Sequence, residues 1–204
     1  MRRTIGLLAV ALLAGCTSYG ATNSPVTKEI ALAVPEVIGR WTSDFDPSPG
    51  QGDAEPICVA IEPAGTLTYR GLFGCTATPN GMIDLQFIRL DGELIAVTQP
   101  ATSDVNLEGN NQVLLLYAFY RVRLQGDSLF VMVLDADSLR TYLSMRPTEM
   151  PFALLEGNGS RDGSGPDVLL TGTPEQLSTF LSTHARDTML WGGDDGEIRF
   201  ARIK

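Results

Sequence analysis

Apolar residues in this chain fall in short alternating runs closed off by turn residues, a pattern that fits a meandering sheet better than any other architecture. Segments 40–45, 56–62, 66–73, 82–90 and 93–98 each read as a strand bounded by Gly, Pro or Asp. Period-two alternation places one set of side chains on one face of a pleat, where a core can cover them. Asp91-Gly92 is a strong two-residue hairpin signal. Ile57, Val59 and Ile61 face Leu67, Tyr69, Gly71 and Phe73 if one hairpin turns at Pro63-Ala64-Gly65, which sets Cys58 opposite Arg70. A longer strand is expected over 112–125. Leu114, Leu116, Ala118, Tyr120, Val122 and Leu124 make one unbroken apolar face; the other begins Val113, Leu115, Tyr117, Phe119 and turns to Arg121 and Arg123. Its first half should therefore be covered on both sides and its second half wet on one. Gly126-Asp127 then turns the chain into 128–134, apolar on both faces.

Two helices interrupt the strands. Segment 135–145 carries Leu139, Tyr142 and Leu143 on one stripe. The second has Thr173 as N-cap, Pro174 in the first helical position, Gln176 completing a capping box, and Leu177, Phe180 and Leu181 as its apolar stripe. Both suit the task of covering doubly apolar strands. Segments 166–172 and 197–203 read as closing strands, and the Gly/Ser-rich stretch 157–165 as a loop. The expected fold is mainly β: an antiparallel meander closing into a barrel, with the helices outside it or at one end.

At the start of the first of these strands stands Pro35-Glu36-Val37-Ile38-Gly39-Arg40-Trp41. Gly39 and Trp41 resemble the Gly-x-Trp signature of lipocalins and related calycin barrels. The resemblance implies that Trp41 packs across a closed barrel end and that an arginine of a late strand, Arg199 or Arg202, stacks on it. It covers one short motif: the second, Thr-Asp-Tyr-like motif of that family is missing, and the helix around Leu139 is additional.

The first residues carry a different signal. Arg2 and Arg3 precede an apolar run from Ile5 to Leu13, too short to span a bilayer and of the length of a signal-peptide core. Leu13-Ala14-Gly15-Cys16 resembles the lipobox of bacterial lipoprotein precursors. That resemblance implies cleavage before Cys16 and acylation of that cysteine, and two or more acyl chains make anchoring stable where one is marginal. Thr17, where an Asp would retain the protein at the inner membrane, implies the outer membrane by the same resemblance. The stretch from Thr17 to about Thr27 is rich in Ser, Thr, Gly, Asn and Pro and reads as a flexible tether allowing on the order of 20 Å of freedom. The expected organisation is thus a signal peptide over 1–15, a lipidated tether over 16–34 and one barrel domain over 35–204.

Charge narrows the partners. Without Arg2 and Arg3, 13 of the 15 basic residues remain against 24 acidic ones, a formal charge of −11. Such a surface repels nucleic acid and anionic headgroups, which leaves membrane attachment to the lipid. Export opens a compartment that permits disulfides, and Cys58 and Cys75, an even pair with no other thiol after Cys16 is modified, suggest one bridge. Two cysteines and one histidine do not make a usual zinc set.

Chemistry is sparse. His184, the only histidine, lies seven residues beyond Leu177 near a helix C-terminus, where a packed or dipole-satisfied ring fits better than a catalytic one. No Gly-x-Ser-x-Gly elbow presents Ser178 or Ser182, which disfavours a serine hydrolase. Asp194-Asp195-Gly196-Glu197 lacks the ligand spacing of a calcium loop and fits a solvated turn. Asn158, Asp162 and Asp167 fall in the Gly-rich loop. No Walker or Rossmann glycine pattern is found, and no cofactor is expected. Of the aromatic residues on expected strands, Trp41, Tyr69, Phe87, Tyr117, Phe119, Tyr120 and Phe130, the candidates to line a cavity are Tyr69, Phe87, Tyr117 and Tyr120, against the plainer role of filling a core. The expectation is a non-enzymatic envelope lipoprotein binding a small apolar ligand or lipid. Its rival is an accessory subunit of an envelope assembly or secretion complex.

Overall fold

The computed structural model describes residues 19–43, 56–76, 79–101, 116–154, 168–192 and 196–203. Eight antiparallel strands form a closed ring: β3 (Gly39–Ser43), β4 (Cys58–Pro63), β5 (Tyr69–Phe73), β6 (Gly81–Leu90), β7 (Glu93–Pro100), β8 (Ala118–Gln125), β9 (Ser128–Val133) and β12 (Glu197–Ile203). Each pairs with the next, and β12 closes the barrel between β9 and β3. The fold is therefore the mainly β, closed meander that the alternation predicts, consistent with a lipocalin-like barrel. A two-residue strand, β2 (Ala31–Leu32), extends the ring by pairing with Phe87 and Ile88 of β6.

Short turns gather at one end of the barrel. Asp91 and Gly92 both adopt positive φ, 45° and 85°, which matches the twist of the flanking strands. Gly126-Asp127 turns β8 into β9 at the same end, and the loop 64–68 turns β4 into β5. At the other end β3, β5 and β7 finish and β4, β6 and β8 begin, joined by connections that are longer in sequence.

The β4–β5 register differs from the expected one. Ala64 and Gly65 both donate backbone N–H groups to the Thr68 carbonyl (3.0 and 3.1 Å), so the turn is centred on residue 66 and not at Pro63-Ala64-Gly65. Glu62, not Cys58, lies opposite Arg70. The slip is four residues, an even number, so the expected core face survives it. It also brings Gly74 across from Cys58, with Gly74 N–H on the Cys58 carbonyl at 3.0 Å, and the neighbouring Cys75 bridges to Cys58 with Cα atoms 4.9 Å apart.

Outside the ring lies a second layer. It consists of α1 (Ala136–Met145), α2 (Pro174–Thr183) and a three-stranded sheet in which β11 (Val168–Leu170) is central, parallel to β1 (Tyr19–Ala21) and antiparallel to β10 (Phe152–Leu154). Asp135 caps α1 by accepting from Ser138 N–H at 2.7 Å, and the Thr173–Gln176 capping box starts α2. Leu139, Leu143, Leu177, Phe180 and Leu181 pack with Ile95, Val97 and Phe119 on the outer wall of β7 and β8. Coverage of β8 follows the expected split, with Phe119 fully buried and Arg123 exposed; residues 112–115 of the expected strand lie outside the described residues.

Two expectations fail here. Segment 166–172 was expected to close the barrel, but β11 belongs to the outer sheet, where Val168 and Leu170 are fully buried, and β12 closes the ring alone. The polar stretch after Thr17 is no free tether from Tyr19 onward. Tyr19 and Ala21 are buried, Ala21 exchanges two backbone hydrogen bonds of 2.9 Å with Tyr117, and the Tyr19 hydroxyl donates to the Phe119 carbonyl (2.7 Å) and accepts from its N–H (2.8 Å).

Candidate functional site: the barrel interior and its closed end

The closed end is assembled from both ends of the ring. A short 3-10 turn, Pro35–Val37, crosses beneath the barrel, and the Trp41 indole N–H donates to the Val37 carbonyl at 2.8 Å. Arg202 on β12 lays its guanidinium 4.2 Å from the Trp41 ring and donates to the carbonyls of Ile38 (2.7 Å) and Glu36 (2.6 Å). Gly39 has φ 143°, and a Cβ there would stand 2.6 Å from Arg202 Nη1, so the glycine makes room for the arginine. Of the two candidate arginines, the stacked one is Arg202. Arg199 has the opposite parity on β12 and donates to Ser128 Oγ at 3.3 Å.

Above this floor, inward side chains of all eight strands form one cluster that includes Val59, Ile61, Phe73, Phe87, Tyr120, Val122, Leu129 and Phe200. They leave a cavity of about 70 Å³ with an entirely apolar lining surface. Phe87 and Tyr120 are among its lining residues. Tyr69 is buried in the same cluster, but it serves the floor: its hydroxyl accepts from Val34 N–H at 2.6 Å and its ring meets Phe87 edge-on, centroids 5.4 Å apart. Tyr117 is not inside the barrel. It shares the parity of Phe119 and packs with the outer cluster. Cys16, Asp194, Asp195 and the loop residues Asn158, Asp162 and Asp167 lie outside the described residues.

A larger groove of about 260 Å³ on the outer wall is lined by Glu93, Arg121, Arg123, Phe130, Arg186 and Glu197 among others. Its cations are engaged within the protein: Arg123 with Glu197 (3.1 Å), Arg186 with Glu93 (3.4 Å), and Arg121 with the Ala185 carbonyl (3.1 Å).

Sequence reasoning read His184 as a packed ring near a helix C-terminus, as it is, but did not find the polar cluster it belongs to. His184 caps the C-terminus of α2, nearly buried, with Nε2 2.9 Å from Glu149 Oε1 and Nδ1 3.5 Å from Asp187 Oδ2. The Tyr142 hydroxyl donates to Glu149 (2.7 Å) and lies 3.1 Å from His184 Nε2. Hydrogen bonds from His184 and then Tyr142 hold the Glu149 carboxyl below its ordinary range. Desolvation, followed by the bond to Glu149, raises the Tyr142 phenol. Both imidazole nitrogens are thus engaged by Glu149, Tyr142 and Asp187, an arrangement that ties α1 to α2. Glu149 stands 35 residues from His184, and no local spacing announces the contact.

The fold and its floor define a closed eight-stranded barrel with a tryptophan–arginine end. Comparison of the chain with protein-family models, with curated proteins and with solved structures finds no match.

Proposed function

We propose that this is a non-enzymatic lipoprotein of the bacterial cell envelope, anchored through Cys16 to the periplasmic side of the outer membrane, whose barrel takes up a slender apolar ligand such as the end of an acyl chain. The observation that carries the binding part is the cavity between the strands, whose exposed lining surface is apolar. An apolar lining recognises a hydrocarbon by exclusion of water alone. The anchoring part rests on the lipobox resemblance at Leu13–Cys16.

The volume limits the ligand. Drug-sized ligands occupy about 300–1,000 Å³, several times the 70 Å³ available. Roughly four methylenes at about 0.8 kcal/mol each contribute about 3 kcal/mol, less than the roughly 4 kcal/mol of a millimolar complex. Tighter binding requires side chains such as Phe87 or Phe73 to swing aside. The small volume therefore favours a second reading, in which the barrel is a filled scaffold for an accessory subunit of an envelope assembly. Native mass spectrometry of the domain purified without detergent separates the two. A lipid retained one-to-one supports the binder. An empty barrel that crosslinks in cells to one envelope protein overturns it in favour of the scaffold.

A further inference from the structure

We propose that the groove on the outer wall of the barrel binds a small organic monocarboxylate with a short apolar tail, and that Arg121 receives its carboxylate. The site is separate from the barrel interior and depends neither on the cavity there nor on the reading of Cys16. Arg121 projects from the outer face of β8, paired with Ile95 on one side and Met132 on the other. Three contacts fix its guanidinium. Nη1 donates to the Ala185 carbonyl at 3.1 Å, and Cζ lies 6.0 Å from the centre of the fully buried Trp191 ring. The remaining edge, Nε and Nη2, meets Met132 Sδ, with Nε at 3.2 Å. That edge is the fork with which an arginine grips a carboxylate through two parallel hydrogen bonds. A thioether sulfur is a weak acceptor in its place. Among the described residues no carboxylate pairs with Arg121, although the chain carries 24 acidic residues against 15 basic ones. The neighbouring arginines differ. Arg123 holds both carboxylate oxygens of Glu197 (3.1 and 3.2 Å), and Arg186 pairs with Asp91 (3.5 Å) and Glu93 (3.4 Å). Arg121, part-buried, has given up water for partners weaker than an anion.

The groove suits such an acid in size and in charge. Its volume, about 260 Å³, falls below the roughly 300–1,000 Å³ of a site for drug-sized ligands, so the ligand is short. Arg121 and Met132 both line it, and Phe130 lies beside them, so an apolar tail has contact next to the fork. Glu93 and Glu197 line the same groove and repel a second negative charge, which favours a monocarboxylate over a phosphate dianion. Met132 is the movable part. Its unbranched side chain turns about three bonds, so the sulfur can leave the fork as two carboxylate oxygens enter. The Ala185 carbonyl meanwhile keeps the guanidinium in place.

The test titrates sodium butyrate into the full chain as purified from cells in non-ionic detergent, in a chloride buffer free of carboxylates. The protein is isotope-labelled at its methionine methyls and tryptophan indoles for nuclear magnetic resonance. The expected result is a saturable shift of the Met132 methyl and Trp191 indole signals, with little response to uncharged butyramide or to inorganic phosphate. Arg121→Gln should weaken binding about tenfold or more, and Arg121→Lys, which keeps the charge without the fork, should weaken it nearly as far. Met132→Leu, of similar volume, should bind several-fold tighter, read at the Trp191 indole, because no sulfur has to leave the fork. No saturable response to butyrate, an equal response to butyramide, or binding that survives Arg121→Gln with wild-type circular dichroism overturns the proposal. Phosphate binding as tightly as butyrate overturns the monocarboxylate assignment, and weaker binding by Met132→Leu overturns displacement of the thioether. Should Arg121→Gln fail to fold, the butyramide and Met132→Leu arms decide. Binding that appears only in an Asp194→Asn, Asp195→Asn double variant would give the fork to the chain's own carboxylates and overturn the proposal as well.

Discussion

Inside the barrel, apolar side chains meet across a ring whose closure alone decides their neighbours; outside it, comparable side chains are brought together by elements far apart in sequence and pinned by polar contacts. The interior holds a void. The outer layer is pinned by the Tyr19 hydroxyl, by the Trp191 indole donating to the His184 carbonyl at 2.9 Å, and by the His184 cluster. Period-two alternation sorts the residues of a strand onto two faces, and closure of the ring makes one of those faces the inner one. Helices and short strands laid on a flat outer wall have no such constraint, and hydrogen bonds at chosen points fix their positions instead. The two regions still share β7 and β8: Ala96 and Tyr120 point inward, Ile95, Val97 and Phe119 outward.

That sharing predicts that the two regions unfold together. Trp41→Ala inside and Trp191→Ala outside should each cost about 3–5 kcal/mol, and each should leave one cooperative transition in chemical denaturation followed by both near- and far-ultraviolet circular dichroism. Two separated transitions for Trp191→Ala would show the outer layer to be an independent unit. Removing the Cys58–Cys75 bridge by a double Ser substitution should cost about 3 kcal/mol, with loss of amide protection centred on β4 and β5 at the long-connection end. Protection lost equally from α1 and α2 would contradict a bridge that serves the ring. Tyr19→Phe leaves the backbone groups of Phe119 without their partner and should cost about 1–2 kcal/mol. Faster hydrogen exchange confined to β1, β11 and the start of β8 is the expected signature, and an unchanged exchange pattern would remove the pin from the account.

The smallest effect concerns pH. Glu149 has a folded-state pKa below its ordinary value of 4.5, so its contribution is present above that pH and is lost as pH falls through the lower folded value. The wild-type outer layer should loosen below about pH 4.5, and Glu149→Gln should flatten the acid limb of the stability curve. An acid limb of unchanged slope in this variant would assign the loss to other carboxylates.

Legibility in the sequence followed the same division. The ring strands, the Asp91-Gly92 turn, the capping box of α2 and the split coverage of β8 all arise from patterns within a dozen residues. Parity alone would have chosen Arg202 over Arg199, since Phe200 must face inward, and would have set Tyr117 outside with Phe119. One failure was non-local and one lay within a single turn. Tyr19–Ala21 has the composition of a linker and becomes a strand only because Val168–Leu170 offers it an edge. Turn length in β4–β5 depended on two hydrogen bonds to Thr68, which no dipeptide signal encodes. The exposed lining of the cavity is apolar, so it offers a ligand no polar contact by which to name it.

The position of β12 bears on how the chain is handled before it folds. The last strand of the ring sits between the first and its ninth-strand neighbour, and Arg202 locks onto carbonyls 164 and 166 residues earlier. Until that strand arrives, β3 and β9 each present an unpaired edge, the form in which β-proteins associate with the wrong partner. A chain that folds as it emerges from its N-terminus leaves those edges open until β12 follows. Its folding yield then depends on how well those open edges are shielded before β12 pairs.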